Sequence, residues 1–461
     1  MGTEAPTSVV IPVRCAPKKA PCPKCGKRGR RVRTLIRTVR TVAYKAIASL
    51  EITYGEYRAC CACCTTFRNT PAGILPKGKY DNKVRDLVLG RILEDGMSIE
   101  RTLRSLRREF LLDLSSGFVY DVLRGKAEQL DMAAHRRKVL EHFSGTLCVD
   151  ELHLGRFTLL LATDPLGDMP VAFALVAAND QGHMRRFLKN LQTWGLNPDV
   201  VVTDGSNLYP AVLAELWPAA DHQLCVFHVI KDINKLVLDA VRRLRTAMNR
   251  RGKAGRKKKR GRKGAKSRAA AARRGMTVKE KARFVFKHRH LIVKRRENLT
   301  DSERDDLARM LEYLPGLATL RRFSDRIYWL FDAPKDAQQA GCRRSAIVRD
   351  PAFRAVPELA KALEQLDEAR FPKLTAYLKN PVSRRVRTNN HVERTNRMFR
   401  FLEKVRYKWR RRRTLVRFAV LVLDASWRAW TPAELKNADP AKPVRRETTQ
   451  VPDGQRSRKI A

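Results

Sequence analysis

The strongest constraint on the fold of this chain is the alternation of β-type and helix-type segments between Thr146 and Val226. Thr146 to Val149, Phe157 to Thr163 and Val171 to Val176 are rich in β-branched and aromatic residues. The last two runs are joined by Asp164-Pro165-Leu166-Gly167-Asp168, a turn by composition. Helical spacing follows from Gln181 to Trp194, then a strand from Val200 to Asp204, a helix from Leu208 to Leu216 and a short strand from Gln223 to Val226. Three strands, then helix, strand, helix and strand, predict an α/β layer with a mixed sheet and flanking helices.

Two strands of that pattern end in an acid. Asp150 closes Thr146-Leu147-Cys148-Val149-Asp150, and Asp204 closes Val200-Val201-Val202-Thr203-Asp204 ahead of Gly205-Ser206-Asn207. A third acid, Glu393, stands in Asn389-Asn390-His391-Val392-Glu393-Arg394 at the start of a predicted helix. Each alone has an ordinary explanation: a strand-end Asp is often a turn or cap residue, and Asn390-x-x-Glu393 has capping-box spacing. Together, two strand-end acids and a helical acid are the donor set that gathers a pair of Mg²⁺ ions for phosphodiester chemistry. Glu151 and Asp164 are spare acids nearby. Cys225-Val226-Phe227-His228 is a CxxH just after the second acid, readable as a metal-binding pair or as a packed structural pair.

The charge says which polymer carries the phosphodiesters. Lys and Arg total 95 against 47 acidic residues, a formal net charge of +48, which calls for a polyanionic partner. Nucleic acid fits, with strongly salt-dependent binding. No apolar stretch approaches the roughly 20 residues that span a bilayer. The longest, Met169 to Ala178, is interrupted by Pro170, and the first residues lack a secretory pattern. The expected location is the cytoplasm, on DNA and without a membrane partner. Between Arg250 and Arg274, 14 of 25 residues are Lys or Arg and none is acidic, so this tract is predicted to stay unfolded until an anion binds.

Six of the ten cysteines fall in two tight groups, Cys22-Pro23-Lys24-Cys25 and Cys60-Cys61-Ala62-Cys63-Cys64. Two CxxC units can close a four-sulfur Zn²⁺ site. Cys60 with Cys63 and Cys61 with Cys64 both have the spacing. Cys60 and Cys63 are preferred because Phe67 then follows the last ligand by four residues. The alternative is a redox-active or merely buried cluster.

Residues 80–130 carry three predicted helices. Val84, Leu87, Val88 and Ile92 make one face of the first, and Asp95-Gly96 ends it. Ser98 caps the second, with an apolar stripe of Ile99, Leu103, Leu106 and Phe110, and the third runs from Ser116 to Arg124. They read as a helix-turn-helix with Arg124 and Lys126 as DNA contacts, or as a plain three-helix module. Beyond Glu393, Arg397, Arg400 and Lys404 recur on one helix face, followed by Arg410 and Arg411 with Tyr407 and Trp409. These are candidate phosphate and base contacts, or a solvated basic face.

These motifs resemble a known family. Val149-Asp150-Glu151, Val202-Thr203-Asp204-Gly205, Cys225-x-x-His228 and Asn389-Asn390-x-x-Glu393-Arg394, behind paired CxxC units and a helix-turn-helix, are similar to the DDE transposases of bacterial insertion sequences. The nearest group is the ISL-type, related to Mutator-like elements, and the resemblance covers roughly residues 20–430.

The resemblance implies an RNase H-like catalytic fold with an α-helical insertion, preceded by a zinc ribbon and a helix-turn-helix. The expected layout is a disordered arm (1–19), the zinc ribbon (20–70), the helix-turn-helix (80–130) and the first catalytic part (145–240). The insertion (241–380, with the basic tract), the last catalytic part (381–430) and a disordered tail (431–461) follow. It further implies Asp150, Asp204 and Glu393 as the Mg²⁺ (or Mn²⁺) triad, and structural Zn²⁺ on Cys22, Cys25, Cys60 and Cys63. The implied activity is Mg-dependent cleavage at the element's ends and attack of the freed 3′-hydroxyl on target DNA. Double-stranded terminal inverted repeats and target DNA are the implied partners, with a homodimer or larger synaptic complex on the bacterial nucleoid. The competing readings are a catalytically inactive DNA-binding regulator derived from a transposase, and a nuclease or junction resolvase of the same fold.

Overall fold

The computed structural model describes residues 7–58, 66–75, 77–254, 276–332, 334–379, 386–406 and 411–429. Cys60, Cys61, Cys63, Cys64, Tyr407, Trp409, Arg410, the basic tract from 255 and the tail 431–461 lie outside the described residues. The chain divides into two compact units. The first holds residues 1–137, 152–159 and 395–429, and the second 138–151, 160–394 and 430–461.

The first unit opens on a five-stranded sheet: β1 (Ser8–Cys15), β2 (Lys19–Pro21), β3 (Arg28–Arg40), β4 (Ile47–Arg58) and β5 (Thr66–Arg68). The order is β1-β4-β3-β2, with β5 also on β4. The expected loose arm therefore needs correction. From Ser8 it is a strand, paired in parallel with β4 from Ser8↔Ile47 to Cys15↔Tyr54. Val9, Val10, Ile11 and Val13 favour extended backbone, and Pro12 is tolerated because β1 is an edge. Val39, Ile52, Tyr54 and Ile74 form the small core beneath.

Strand register brings the first cysteine pair, and the residues that flank the second cysteine segment, to one end of this sheet. Cys22 and Cys25 lie in the β2–β3 hairpin, where Pro21 pairs with Arg28 and Gly26 N–H donates to the Cys22 carbonyl at 2.9 Å. Arg58, the last residue of β4, pairs with Arg30 and with Thr66. The described residues on either side of the segment that holds Cys60 and Cys63 are thus paired with each other. Phe67 stacks on buried Tyr57 with ring centroids 5.3 Å apart. A side chain at Gly29 would meet that Phe67 ring at 2.8 Å, so the close approach requires glycine.

Four helices follow: α1 (Asn82–Leu89), α2 (Ile99–Phe110), α3 (Ser116–Glu128) and α4 (Met132–His142). Their starts are set by side chains that accept from backbone N–H groups: Asp81 from Val84, Ser98 from Arg101 and Ser115 from Phe118. Gly96, at φ +66, turns the chain between α1 and α2. Val84, Val88, Ile92, Leu106, Val119, Val122 and Leu123 are buried, whereas Ile99, Leu103 and Phe110 are only half-buried. Thr102 and Ser105 take their place inside.

The C-terminal helix Arg412–Ala429 packs on α3 in this unit. Trp427 stacks on His135 with centroids 3.5 Å apart, and Arg417 lies 3.9 Å from Glu128. The segment 381–430, expected as the last catalytic part, is divided between the units, since from Thr395 onward the chain belongs to the first. The apolar stripe of Leu415, Phe418, Leu421 and Val422 is buried here, not in the layer that carries the acids.

A second sheet layer, which apart from residues 152–159 belongs to the second unit, is built on β6 (Thr146–Leu154), β7 (Phe157–Asp164), β8 (Met169–Val176), α5 (Gln181–Thr193), β9 (Val200–Thr203), α6 (Pro210–Leu216) and β10 (Asp221–Leu224). The strand order is β10-β9-β6-β7-β8. β9 runs parallel to β6, and β10 parallel to β9. The links 155–156 and 165–168 are too short for a crossover, so β6, β7 and β8 form an antiparallel meander. This mixed sheet with flanking helices is consistent with the expected RNase H-like layer.

Gly145 sets the β6–β9 register. At φ +84 its carbonyl accepts from Asp199 N–H at 2.8 Å and Val200 N–H at 3.1 Å, and an added side chain would collide with the Asp199 carboxylate. Gly145→Ala should lower unfolding free energy by about 1–3 kcal/mol, read as a reduced denaturation midpoint. An unchanged midpoint would show that the turn does not hold the register.

Beyond the sheet come α7 (Val226–Ala254), α8 (Val278–His288), α9 (Asp301–Tyr313), α10 (Leu317–Phe331), α11 (Ala337–Val348) and α12 (Pro357–Glu364). They share one core in which Ile233, Val237 and Val241 of α7 join Leu320, Phe323 and Ile327 of α10. The expected boundary at 240/241 falls inside α7, because one apolar stripe continues through it. The core also reaches back to the sheet: buried Gln223 accepts from Tyr377 N–H at 2.7 Å and donates to the Leu374 carbonyl at 3.2 Å. Helix α13 (Asn390–Arg406) then begins in this unit. No helix among the described residues is long and apolar enough to cross a membrane.

Candidate active site

The parallel register places the first two acids side by side. Thr146 pairs with Val200, Leu147 with Val201 and Cys148 with Val202. Asp150 and Asp204 each lie two residues past that last pair. Asp150 is still in β6, while Asp204 directly follows the end of β9, so continuing the register would bring the two to neighbouring places at one end of the sheet, and the Asp204 charge is felt at Asp150. The next strand adds Cys225, whose N–H donates to the Thr203 carbonyl at 2.8 Å.

The third acid is brought in by a buried asparagine. Asn389 donates its side-chain amide to the Val149 carbonyl at 3.0 Å and its backbone N–H to Cys225 Sγ at 3.2 Å. One residue thus ties the start of α13 to the residue before Asp150 and to Cys225 directly after β10. Its own carbonyl accepts the first helical bond, from Glu393 N–H at 3.1 Å. Asn389 is therefore the N-cap and Glu393 the fourth helical residue, one place beyond the capping-box position. Glu393 Oε1 instead lies 3.4 Å from His228 Nε2 in the first turn of α7. A second clamp acts on the same helical turn. Asp168, at φ +50 in the β7–β8 turn, accepts from Arg394 at 2.5 Å and meets His391 Nε2 at 2.8 Å.

The electrostatics report the convergence. Burial lifts the Asp150 carboxyl to about 7, and the negative charges of Glu151, Asp204 and Glu393 add to the effect. Asp204 Oδ1 accepts from Ser206 N–H at 2.9 Å, which fixes its rotamer. Glu393 Oε1 is buried and has no hydrogen-bond donor among the described residues. Oxygen-only, mutually repelling carboxylates of this kind suit a hard cation such as Mg²⁺ or Mn²⁺. Among the described residues no group of three or more His, Cys, Asp or Glu side chains stands close enough to hold a metal ion.

The spare acids have other partners. Asp164 is fully buried and accepts from Ser144 Oγ at 2.7 Å, Ser144 N–H at 2.8 Å, and Leu166 and Gly167 N–H at 3.0 Å. It is a turn-fixing residue. Glu151 accepts from the buried Tyr209 hydroxyl and from Asn179 at 3.3 Å. The Cys225 thiol is held above its usual range by burial.

Of the remaining candidates, Arg397, Arg400 and Lys404 are exposed on α13, and Arg411 is exposed ahead of the last helix. Arg124 is exposed on α3 and pairs with Asp121 at 2.7 Å, while Lys126 is half-buried. Sequence reasoning quoted Asn389 without a role and passed over Asp168 and Tyr209. The Asn389-Asn390 doublet was the one local signal. Asp168 and Tyr209 act through contacts that no local pattern encodes.

A search of curated proteins finds no match. The family model of the ISL3-type DDE transposases, described as "Transposase", matches residues 147–415, more than half of the chain and a span that contains all three acids. The chain belongs to the ISL3-type DDE transposase family.

Proposed function

We propose that the protein cleaves DNA strands at the ends of an insertion sequence and joins the freed 3′-hydroxyl to target DNA, with Asp150, Asp204 and Glu393 holding Mg²⁺ or Mn²⁺. The observation that carries this reading is the register-matched Asp150–Asp204 pair, with Glu393 close enough to help push Asp150 to about 7. Bound divalent cations would supply an activated oxygen nucleophile and neutralise charge on the phosphate. The protein's own residues do the positioning. Asn389 keeps α13 against the strand end, His228 Nε2 stands 3.4 Å from Glu393 Oε1, and Asp168 holds the helix through His391 and Arg394.

The other parts serve DNA capture in the same proposal. The two cysteine segments suit a zinc ribbon using Cys22 and Cys25 with Cys60 and Cys63. The capped α1–α3 array suits a helix-turn-helix in which Arg124 and Lys126 meet DNA. Arg397, Arg400, Lys404, Arg410 and Arg411 would contact phosphates. A homodimer or larger complex would pair two element ends, in the bacterial cytoplasm on the nucleoid. Incubating the full chain with duplex carrying its element ends and Mg²⁺ tests the activity. Nicks at the end junction and joined products are expected; tight binding without a cut in either Mg²⁺ or Mn²⁺ refutes the enzymatic reading.

The raised Asp150 pKa adds a pH signature. Its ordinary value is 3.8 and its folded value about 7, so the folded state binds the extra proton in between. The metal-free fold therefore loses stability as pH rises from about 4 to about 7 and pays the full penalty above that. A cation must displace the same proton. Mn²⁺ affinity should climb by up to roughly tenfold per pH unit below about 7 and level off above it. Titrations at several pH values check this, and a flat profile from pH 5 to 8 would exclude Asp150 as a ligand.

A further inference from the structure

A groove of about 800 Å³ runs along α7 within the second unit. It begins at Phe227, immediately before His228, and reaches Arg242. Those positions share one helix face over about 22 Å. Phe227 is 48% exposed, unusual for a large aromatic, and its ring stands edge-on to His228 with centroids 6.0 Å apart. Ile230, Leu238, Val293 and Tyr328 give the groove an apolar floor.

Its rim is cationic. Asp239, which also lines the groove, is matched by Arg242 at 2.8 Å. Lys294 and Arg295 on the opposite wall pair with Glu303 and Asp332, and the Arg295 guanidinium also lies 4.5 Å over the Tyr328 ring. Lys231 and Lys235 line the groove with no carboxylate partner among the described residues. An apolar floor with an exposed aromatic at one end and unmatched cations above it fits a strand whose bases are unpaired. Bases stack on the aromatic and apolar surface while phosphates meet the lysines. A duplex offers only phosphates to such a groove and leaves the floor unused.

We infer that this groove binds a single-stranded DNA segment leading away from the acid cluster, with a base stacked on Phe227 and phosphates against Lys231 and Lys235. A length of about 22 Å accommodates roughly three to four nucleotides of an extended strand, whose phosphates lie about 6–7 Å apart. The inference rests on the DNA-processing reading for the identity of its polymer, but not on cleavage.

The test is therefore run on the full chain in EDTA, where no strand is cut, so its outcome is independent of whether the acids are catalytic. Fluorescence anisotropy would follow a labelled duplex carrying a six-nucleotide single-stranded extension and the same duplex with blunt ends. Phe227→Ala should weaken binding of the extended DNA about tenfold and leave blunt duplex unchanged, with Phe227→Tyr restoring the affinity. Lys231→Ala with Lys235→Ala should reduce the salt dependence for the extended DNA by about 1.4 in log–log slope. Because Phe227 is half-exposed, its truncation should leave the melting temperature unchanged. Equal affinity of Phe227→Ala and wild type for the extended DNA overturns the inference, as does an equal loss on blunt duplex.

Discussion

Replacing Asp204 by Asn should lower strand cleavage by about three orders of magnitude or more while leaving DNA affinity and its salt dependence unchanged. Asparagine keeps the size of the side chain, and its oxygen can still accept the Ser206 N–H bond that fixes the rotamer at 2.9 Å. What disappears is the negative charge next to Asp150. The Asp150 carboxyl should then ionise more readily, since the Asp204 charge is one of the groups raising it. Metal affinity should nevertheless fall, because one ligand is gone. Asp150→Asn and Glu393→Gln should behave alike. Cleavage surviving in Asp204→Asn would point to a different acid set, with Glu151 the nearest replacement.

The second large effect is expected at Asn389, which would touch neither DNA nor cation. Asn389→Ala removes the amide that donates to the Val149 carbonyl and leaves that buried acceptor without this partner. The cost in stability should be about 1–3 kcal/mol. The effect on turnover should be larger than that implies. Asn389 joins the residue before Asp150 to the helix bearing Glu393, so its loss frees the third acid to drift. A displacement near 1 Å is enough for about a hundredfold loss of rate. Single-turnover cleavage with saturating DNA, beside a melting curve, separates the two effects. A hundredfold slower step with DNA affinity intact is expected, whereas a melting change with normal turnover would make Asn389 a purely structural residue.

Much of this arrangement was legible in the sequence because it rests on local pattern. The β-branched runs that end in Asp150 and Asp204 specify strands, and parallel pairing of strands in register is enough to bring their ends together. Ser98 and the Ser115-Ser116 pair announce helix starts, and both Ser98 and Ser115 are used as caps. The less legible parts depend on partners distant in sequence. β1 reads as an arm because residues 1–20 carry Pro and Lys and show no period, and only pairing with β4 makes a strand of it. The helix Arg412–Ala429 carries an apolar stripe that fits any hydrophobic neighbour, and its sequence does not say that the neighbour is α3. Glu393 was found from a motif, but its pairing with His228 spans 164 residues of intervening chain and depends on α7 starting directly after β10.

The most direct measurement is anomalous diffraction from crystals of the full chain soaked in Mn²⁺ at pH 8. Manganese density in contact with carboxylate oxygens of Asp150, Asp204 and Glu393, lost in Asp204→Asn crystals, is the expected result. Manganese bound elsewhere, or held by one of the three acids with the other two turned away at saturating metal, would contradict the shared-cation site.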